Sequence, residues 1–411
     1  DGYSNFNVPV VMRIDGQLDL AALRQAVVSL VRRHEGLRTA FREHGQAVER
    51  VVLRRYEPEL PLIDMSAGSD PELSVEHLVL AELAQVSDLS EAPLWRGAIV
   101  RVAERRHLAI FIFQHAIFDG WSTNVFRRDF TRLYAAALAG DTPRLSRLPM
   151  GLAEYAAWER RVLGRRASSE RASRPPQRLP LERIEGQAMM VALPFPTIPA
   201  GQVSALTELA GQCGATPASG LRAAVLAALA PYLDGSVRVG FLMSGRKPET
   251  KPLIGGFSDH AIVSCEVGRD AGYRDLVSQV EEGMTAVKRC LSETGLLRLT
   301  SPWDRDLDVS INYMPAHGGQ QPVRIASDPP VEISMVPVPM DTMRPKGQLG
   351  FPGVVPVSYS LHHDADGTVS GAVAGCAYRW GRPSIAPMAV VDGLARDFTR
   401  TVERVAAGSG R

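Results

Sequence analysis

Cysteine, long apolar runs and net charge are all scarce in this sequence, and each scarcity removes a class of protein. The four cysteines, Cys213, Cys265, Cys290 and Cys376, are widely spaced and form no CxxC pair. That density excludes a disulfide-stapled secreted scaffold and predicts buried thiols in a reducing compartment. No apolar run reaches the roughly 20 residues of a membrane span, and Asp1-Gly2-Tyr3-Ser4 lacks the basic-then-apolar layout of a signal peptide. A cytoplasmic protein is expected. The formal net charge is +1, so no global field recruits nucleic acid or an anionic membrane, and neither is expected as a partner. Missing too are Gly-x-Ser-x-Gly, a phosphate-cradling GxxxxGK loop and a dinucleotide fingerprint. Covalent serine catalysis and nucleotide-driven chemistry are therefore without support.

What is present reads as a large folded protein. Hydrophobic residues make up 45% and charged residues 22% of 411, a globular composition in a chain longer than one core usually sustains. Two α/β lobes are expected. The boundaries fall at a first lobe over 1–163, a linker over 164–180 and a second lobe over 181–411. The linker is rich in Arg, Ser and Pro without periodicity, which fits a solvated connection; an exposed basic patch for an anion is the other reading.

Periodicity places the elements. Val8 to Ile14 reads as a strand, and Asp19 can cap a helix carrying Leu20, Leu23, Val27, Leu30 and Val31 on one face. Leu37–Phe41 and Ala47–Val52 flank a turn at His44-Gly45 and predict a hairpin. A helix is expected around Glu72 to Gln85, then strands at Trp95–Ala103 and His107–Phe113. The last of these is nearly all apolar, as for a strand buried on both faces. Ser122 is the expected N-cap of the next helix, striped with Phe126, Phe130, Leu133, Tyr134 and Ala137 and stopped by Gly140. Beyond the linker, helices are predicted at 201–211, 217–233 and 273–290. Strands are predicted at 237–243, 307–313, 331–338, 355–361 and 369–374.

The chemistry-bearing segment follows the buried strand: Gln114-His115-Ala116-Ile117-Phe118-Asp119-Gly120-Trp121-Ser122. A neutral imidazole is the side chain best matched to taking a proton near pH 7, so His115 is the candidate base. Gly120 would permit tight backbone geometry, and Asp119 could fix the loop through a cation. On its own, a histidine at a strand end is more often a satisfied structural residue. His362-His363-Asp364 precedes Ala365-Asp366-Gly367, a hairpin signal, and lacks the separated ligands of a metal site. No metal site is expected.

Four ordered segments change the weight on His115. Gln114 to Ser122 resembles the HHxxxDGxS signature of the condensation domains of nonribosomal peptide synthetases. Arg33-His34-Glu35-Gly36-Leu37-Arg38-Thr39 resembles the family's RHExLRT segment, and Tyr155-Ala156-Ala157-Trp158 its YxxW stretch. Gly245-Arg246-Lys247-Pro248-Glu249 with Ile254-Gly255-Gly256-Phe257 resembles its GRxxPEL and IGxFVNT run. The family's opening helix has no counterpart, which predicts a module cut from a longer synthetase.

The resemblance implies a chloramphenicol-acetyltransferase-like fold, two lobes set as a V with a tunnel between them. It implies amide formation from a donor thioester that already stores the energy of the bond. Donor and acceptor carrier proteins and adjacent synthetase domains are the implied partners. Phosphopantetheine arms enter as substrates, with no permanently bound cofactor. His115 matches the second motif histidine, beside the acceptor nucleophile. Asp119 matches a structural aspartate, with Arg246 as its ion-pair partner; Gly120, Trp121 and Ser122 complete the motif.

Two departures stand out. Gln114 replaces the first histidine, cannot titrate, and can still donate and accept hydrogen bonds. Ser258-Asp259-His260 follows Phe257 where the family carries an amide and a hydroxyl, and reads equally as a tunnel or acceptor site and as a solvated strand end. Ester-forming and epimerising relatives, and a non-catalytic platform that recruits a tailoring enzyme, share the pattern.

Overall fold

The run Leu108-Ala109-Ile110-Phe111-Ile112-Phe113 sets the architecture of the first half, because both of its faces must be covered. In the computed structural model, which describes residues 7–45, 47–68, 70–164, 188–233, 235–294, 307–315, 321–336, 338, 357–378 and 385–408, they are. In chain order the first half comprises β1 (Asn7–Asp15), α1 (Leu20–Arg33), β2 (Thr39–His44), β3 (Ala47–Val52), β4 (Leu62–Asp64) and α2 (Pro71–Leu83). β5 (Trp95–Ala103), β6 (Arg106–Gln114), α3 (Gly120–Ala139) and α4 (Leu152–Gly164) follow. The second half comprises β7 (Ala188–Pro194), α5 (Ala200–Gln212), α6 (Pro217–Leu229), β8 (Gly235–Met243), β9 (Asp259–Val267), α7 (Tyr273–Thr294), β10 (Val309–Met314), β11 (Val323–Ile325), β12 (Val331–Val336), β13 (Val357–His363), β14 (Val369–Tyr378) and α8 (Ile385–Ala406).

The first sheet has the order β11-β12-β1-β6-β5-β4. Alternate residues of β6 point to opposite faces. Ala109, Phe111 and Phe113 join Leu23, Val27, Phe126 and Phe130 of α1 and α3, whereas Leu108, Ile110 and Ile112 join Val75, Val79 and Leu83 of α2. Burying each large side chain contributes about 1.5–3 kcal/mol. α1 begins where the Asp19 carboxylate accepts the Ala22 N–H at 2.8 Å, and α3 ends at Gly140, whose φ of 68° is left-handed.

The second sheet has the order β7-β14-β13-β10-β8-β9. β8, β10 and β13 run parallel, and β7, β9 and β14 pair antiparallel to their neighbours. Its core joins Val237, Val239, Phe241, Val309, Ile311 and Tyr359 to apolar residues of α5, α6, α7 and α8. Both halves are thus mixed α/β.

Several expectations are corrected. Ser122 is not the N-cap of α3: Asp119 is, accepting the Ser122 N–H, so that Gly120 and Trp121 are already helical. The strand expected from Leu37 starts at Thr39, because Glu35–Arg38 forms a 3₁₀ turn. Cys265 is buried, but Cys213 and Cys290 are only partly so. β11 and β12, from the later part of the chain, hydrogen-bond into the first sheet through β1. Gly164 ends α4, and the rest of the expected linker, 165–180, lies outside the described residues.

Candidate active site

The loop between β6 and α3 is held before any catalytic role is considered. Ile117 N–H donates to the Gln114 carbonyl at 3.1 Å, and Phe118 N–H to the His115 carbonyl at 3.3 Å. Phe118 is fully buried and stacks on Phe113 of β6, centroids 4.0 Å apart and rings 5° from parallel. Such a pair adds about 0.5–1.5 kcal/mol beyond burial. The Gln114 side chain is buried, and its carbonyl oxygen accepts the Ala116 N–H. Gln114 therefore braces the turn from inside.

His115 is half-buried at the head of this turn. Desolvation lowers its pKa from the usual histidine value, opposed by a hydrogen bond from the ring to its own backbone carbonyl and by the charge of Asp119. The imidazole is neutral at pH 7. With one ring nitrogen occupied as a donor, the other carries the lone pair.

Asp119 is fully buried and makes the centre of a knot. Its Oδ1 accepts from Ser122 N, Ser122 Oγ and Arg246 Nη2, each at 2.8 Å, and its Oδ2 accepts from Phe257 N at 3.0 Å and Ser258 Oγ at 3.4 Å. Arg246 also donates to the carbonyls of Thr250 at 2.8 Å and Leu253 at 2.7 Å, and its Cζ lies 4.2 Å from the Phe257 ring centroid. The Ser122 hydroxyl accepts from Gly255 N at 3.1 Å. One buried charge pair thus ties the loop of the first sheet to the β8–β9 loop of the second. Breaking such a pair on one side costs about 3–5 kcal/mol, because the survivor is left buried and uncompensated.

The four motif segments converge here. Glu35 accepts the Leu152 and Ala153 N–H groups and so caps α4, the helix that carries Tyr155 and Trp158. The Tyr155 ring meets Phe257 edge-on at 5.0 Å, and Lys247 Nζ lies 3.6 Å from the Trp158 ring centroid. His34 contacts Asp129 at 3.0 Å, which Arg33 and Arg128 also bind. Gly256 packs so closely that a Cβ there would lie 3.0 Å from the His115 carbonyl oxygen. A side chain there would push the two loops apart by a few tenths of an ångström.

Trp121 is 38% exposed and donates its indole N–H to the Lys251 carbonyl at 2.9 Å. Gly120 is exposed, and a Cβ added to it would meet nothing within 4 Å. The tight geometry expected of Gly120 is therefore absent.

Of the three departing residues, Ser258 joins the knot, whereas Asp259 and His260 begin β9. Asp259 Oδ1 accepts the His260 N–H at 2.8 Å. His260 Nε2 lies 2.9 Å from Ser310 Oγ, and burial lowers its pKa. β9 and β10 are not neighbours, since β8 runs between them. The contact exists because β8 offers Gly240 opposite Ser310, where a Cβ would sit 3.1 Å from His260 Cδ2. The imidazole crosses the sheet over a residue without a side chain. Sequence reasoning missed Ser310, whose only local signal is a polar position inside an apolar strand.

His363 Nδ1 lies 3.0 Å from the Tyr313 hydroxyl, and Asp364 opens the β13–β14 turn, where Gly367 has a φ of 86°. Among the described residues no group of three or more His, Cys, Asp or Glu is placed to hold a metal ion, and no helix is long and apolar enough to cross a membrane. A separate cleft of about 410 Å³, lined by Arg33, Arg38, Arg147, Leu253 and Ile254 among others, does not include His115.

A family model described as the condensation domain matches residues 1–318. The chain belongs to the condensation-domain family. It is 31% identical over 293 residues to one of the proteins that make up the linear gramicidin synthase of Brevibacillus parabrevis, a match covering 67% of this chain and 4% of that protein. It is 30% identical over 324 residues to phosphinothricin tripeptide synthetase PhsC of Streptomyces viridochromogenes, covering 74% of this chain and 28% of the relative. The chain therefore spans a small part of these nonribosomal peptide synthetases. Among solved structures, the X-domain from teicoplanin biosynthesis superposes with a TM-score of 0.75 at 22% identity, covering 98% of this chain and 91% of that one. The epimerization domain from the third module of tyrocidine synthetase B gives 0.69 at 17%, covering 99% and 94%. Condensation-domain structures thus share this mixed α/β fold.

Proposed function

We propose that this domain joins a carrier-bound acyl or peptidyl thioester to an amine, forming an amide during nonribosomal peptide or hybrid polyketide biosynthesis, with His115 as the base beside the acceptor. The observation that carries this reading is a neutral, half-buried imidazole on a loop immobilised from both halves. The amine nitrogen attacks the thioester carbonyl carbon, and its proton passes to the His115 ring nitrogen that carries the lone pair. When the tetrahedral adduct collapses, the C–S bond breaks and the departing thiolate takes that proton. The products are an amide and a free thiol, with no further reactant. Positioned proton transfer of this kind contributes about 10²–10⁴-fold.

The two thioesters would arrive on phosphopantetheine arms of donor and acceptor carrier proteins, through a tunnel between lobes set as a V. Neighbouring synthetase domains would supply those carriers, and the domain would work in the cytoplasm. Asp119, Ser122 and Arg246 position the loop. Asp259 and His260, which follow the β8–β9 loop at the start of β9, would border the acceptor.

A second reading, a condensation-like platform recruiting a tailoring enzyme, is favoured by Gln114 in place of the first motif histidine. The likeness to the X-domain, which has been solved in complex with OxyB, supports it. Intact-protein mass spectrometry of loaded carriers, with chirality analysis of the released product, separates the readings. An amide on the acceptor carrier, lost in His115→Ala while the fold and carrier binding persist, supports condensation. Undiminished product in His115→Ala sinks it. Absence of any product with the wild-type domain transfers the case to the platform, and an inverted stereocentre without a new bond transfers it to an epimerase.

A further inference from the structure

Among the described residues two arginines are almost wholly buried, and they are treated differently. Arg246, 6% exposed, is bound by Asp119, Ser122 and three carbonyls. Arg222 of α6 is 8% exposed, and its Nε, like that of Arg246, is enclosed without a hydrogen-bond partner. Among the described residues no carboxylate or carbonyl bonds its guanidinium. Its Cζ lies 4.8 Å from the Phe241 ring centroid. A cation–π contact of this kind offsets only part of the cost of burying a charge.

The surrounding residues gather at one end of the second sheet. Phe241, Tyr313 and His363 fall at or near the carboxyl ends of the parallel strands β8, β10 and β13, the end of an open α/β sheet at which ligands bind. The Tyr313 hydroxyl and His363 Nδ1 are 3.0 Å apart, and Tyr313 acts electrostatically on Arg222. Glu281 also acts on Arg222 but is committed elsewhere. Its carboxylate accepts from Thr216 N at 2.9 Å, Thr216 Oγ1 at 3.1 Å and Ser219 Oγ at 2.7 Å, with Lys288 Nζ at 3.7 Å. Glu281 is thus balanced by Lys288 and the start of α6, and one positive charge is left over.

We propose that Arg222 anchors a binding site for a carboxylate ligand at the carboxyl ends of β8, β10 and β13, separate from the His115 loop. A guanidinium matches a carboxylate through two parallel N–H···O bonds, and a single negative charge balances the site. The Tyr313 hydroxyl supplies a second polar group.

The test uses acetate as the probe on the whole domain, with sodium chloride at equal ionic strength as the control. Acetate raises the melting temperature of the wild-type domain saturably, as ligand linkage requires. In Arg222→Met that response disappears. The variant melts at or above the wild type in chloride, because it no longer buries an unpaired charge. Arg222→Lys, which keeps the charge and loses the fork, binds acetate about tenfold or more weakly. Line broadening of labelled acetate with the wild-type domain gives a readout that does not depend on any variant folding. No binding by the wild type, an equal acetate response in Arg222→Met, or a response to phosphate without one to acetate overturns the proposal.

Discussion

The two sheets each deliver a histidine close to the Asp119–Arg246 pair along the chain, and they deliver it in different ways. His115 leaves the first sheet on a turn, and the hydrogen bond from its ring runs to its own backbone carbonyl. His260 stays within an edge strand of the second sheet, and its Nε2 is committed to Ser310 across Gly240. Burial lowers both pKa values. Neutrality alone therefore does not mark the reacting group. The difference lies in setting: His115 sits on a braced loop, whereas His260 Nε2 lies 2.9 Å from the Ser310 hydroxyl within the sheet.

The knot between the two histidines makes the contrast possible, and breaking it has the largest expected effect. Arg246→Met leaves the Asp119 carboxylate buried among neutral donors and lowers the unfolding free energy by about 3–5 kcal/mol. Urea denaturation followed by circular dichroism measures the loss. A change below about 1 kcal/mol would show that the two loops are held by their backbones instead.

An intermediate effect is expected on the second sheet. His260→Asn removes one side-chain hydrogen bond, worth about 0.5–1.5 kcal/mol, and places an amide beside Ser310. Condensation persists in this variant, with its acceptor preference altered. Competition between two acceptors in one reaction reads that change. Abolition of activity equal to that in His115→Ala would mean that the second histidine shares in the proton transfer, and the contrast would fail.

The smallest effect belongs to Gln114→His. The glutamine acts by accepting the Ala116 N–H, and an imidazole nitrogen can also accept a hydrogen bond. Condensation rates stay within about tenfold of wild type, less than an acid–base group contributes. Failure of this variant to fold would show that the brace requires the glutamine amide itself.

Much of the first sheet and its loop is readable in sequence because the signals are local. β6 shows a continuous apolar run because helices cover both faces, and α1 shows its stripe and its Asp19 cap. The cap of α3 was legible only in part. Asp119 and Ser122 are both good capping residues, and only the geometry shows that the carboxylate takes the role while the hydroxyl bonds within the knot. The second sheet was harder because its relations are distant in sequence. His260 and Ser310 meet across 50 residues by virtue of a glycine on an intervening strand. β12 leaves its neighbours in the chain to pair with β1, and no local pattern encodes that partner. α8 carried a readable stripe, Val391, Leu394, Ala395, Phe398, Val402 and Val405, that spacing alone could have found. The ion pair of Asp119 with Arg246 entered through resemblance, and the structure brings the two groups to 2.8 Å.

The central claim is that the neutral imidazole of His115 accepts the acceptor's proton. Its most direct test is the pH dependence of single-turnover condensation beside an NMR titration of His115. A lowered pKa means that the ring is half protonated at a pH below the ordinary value of 6.5. The expected rate rises with the neutral fraction of His115 and reaches half its maximum below pH 6.5. A rate that follows a group titrating above pH 7, or that keeps its profile and size in His115→Ala, would contradict it.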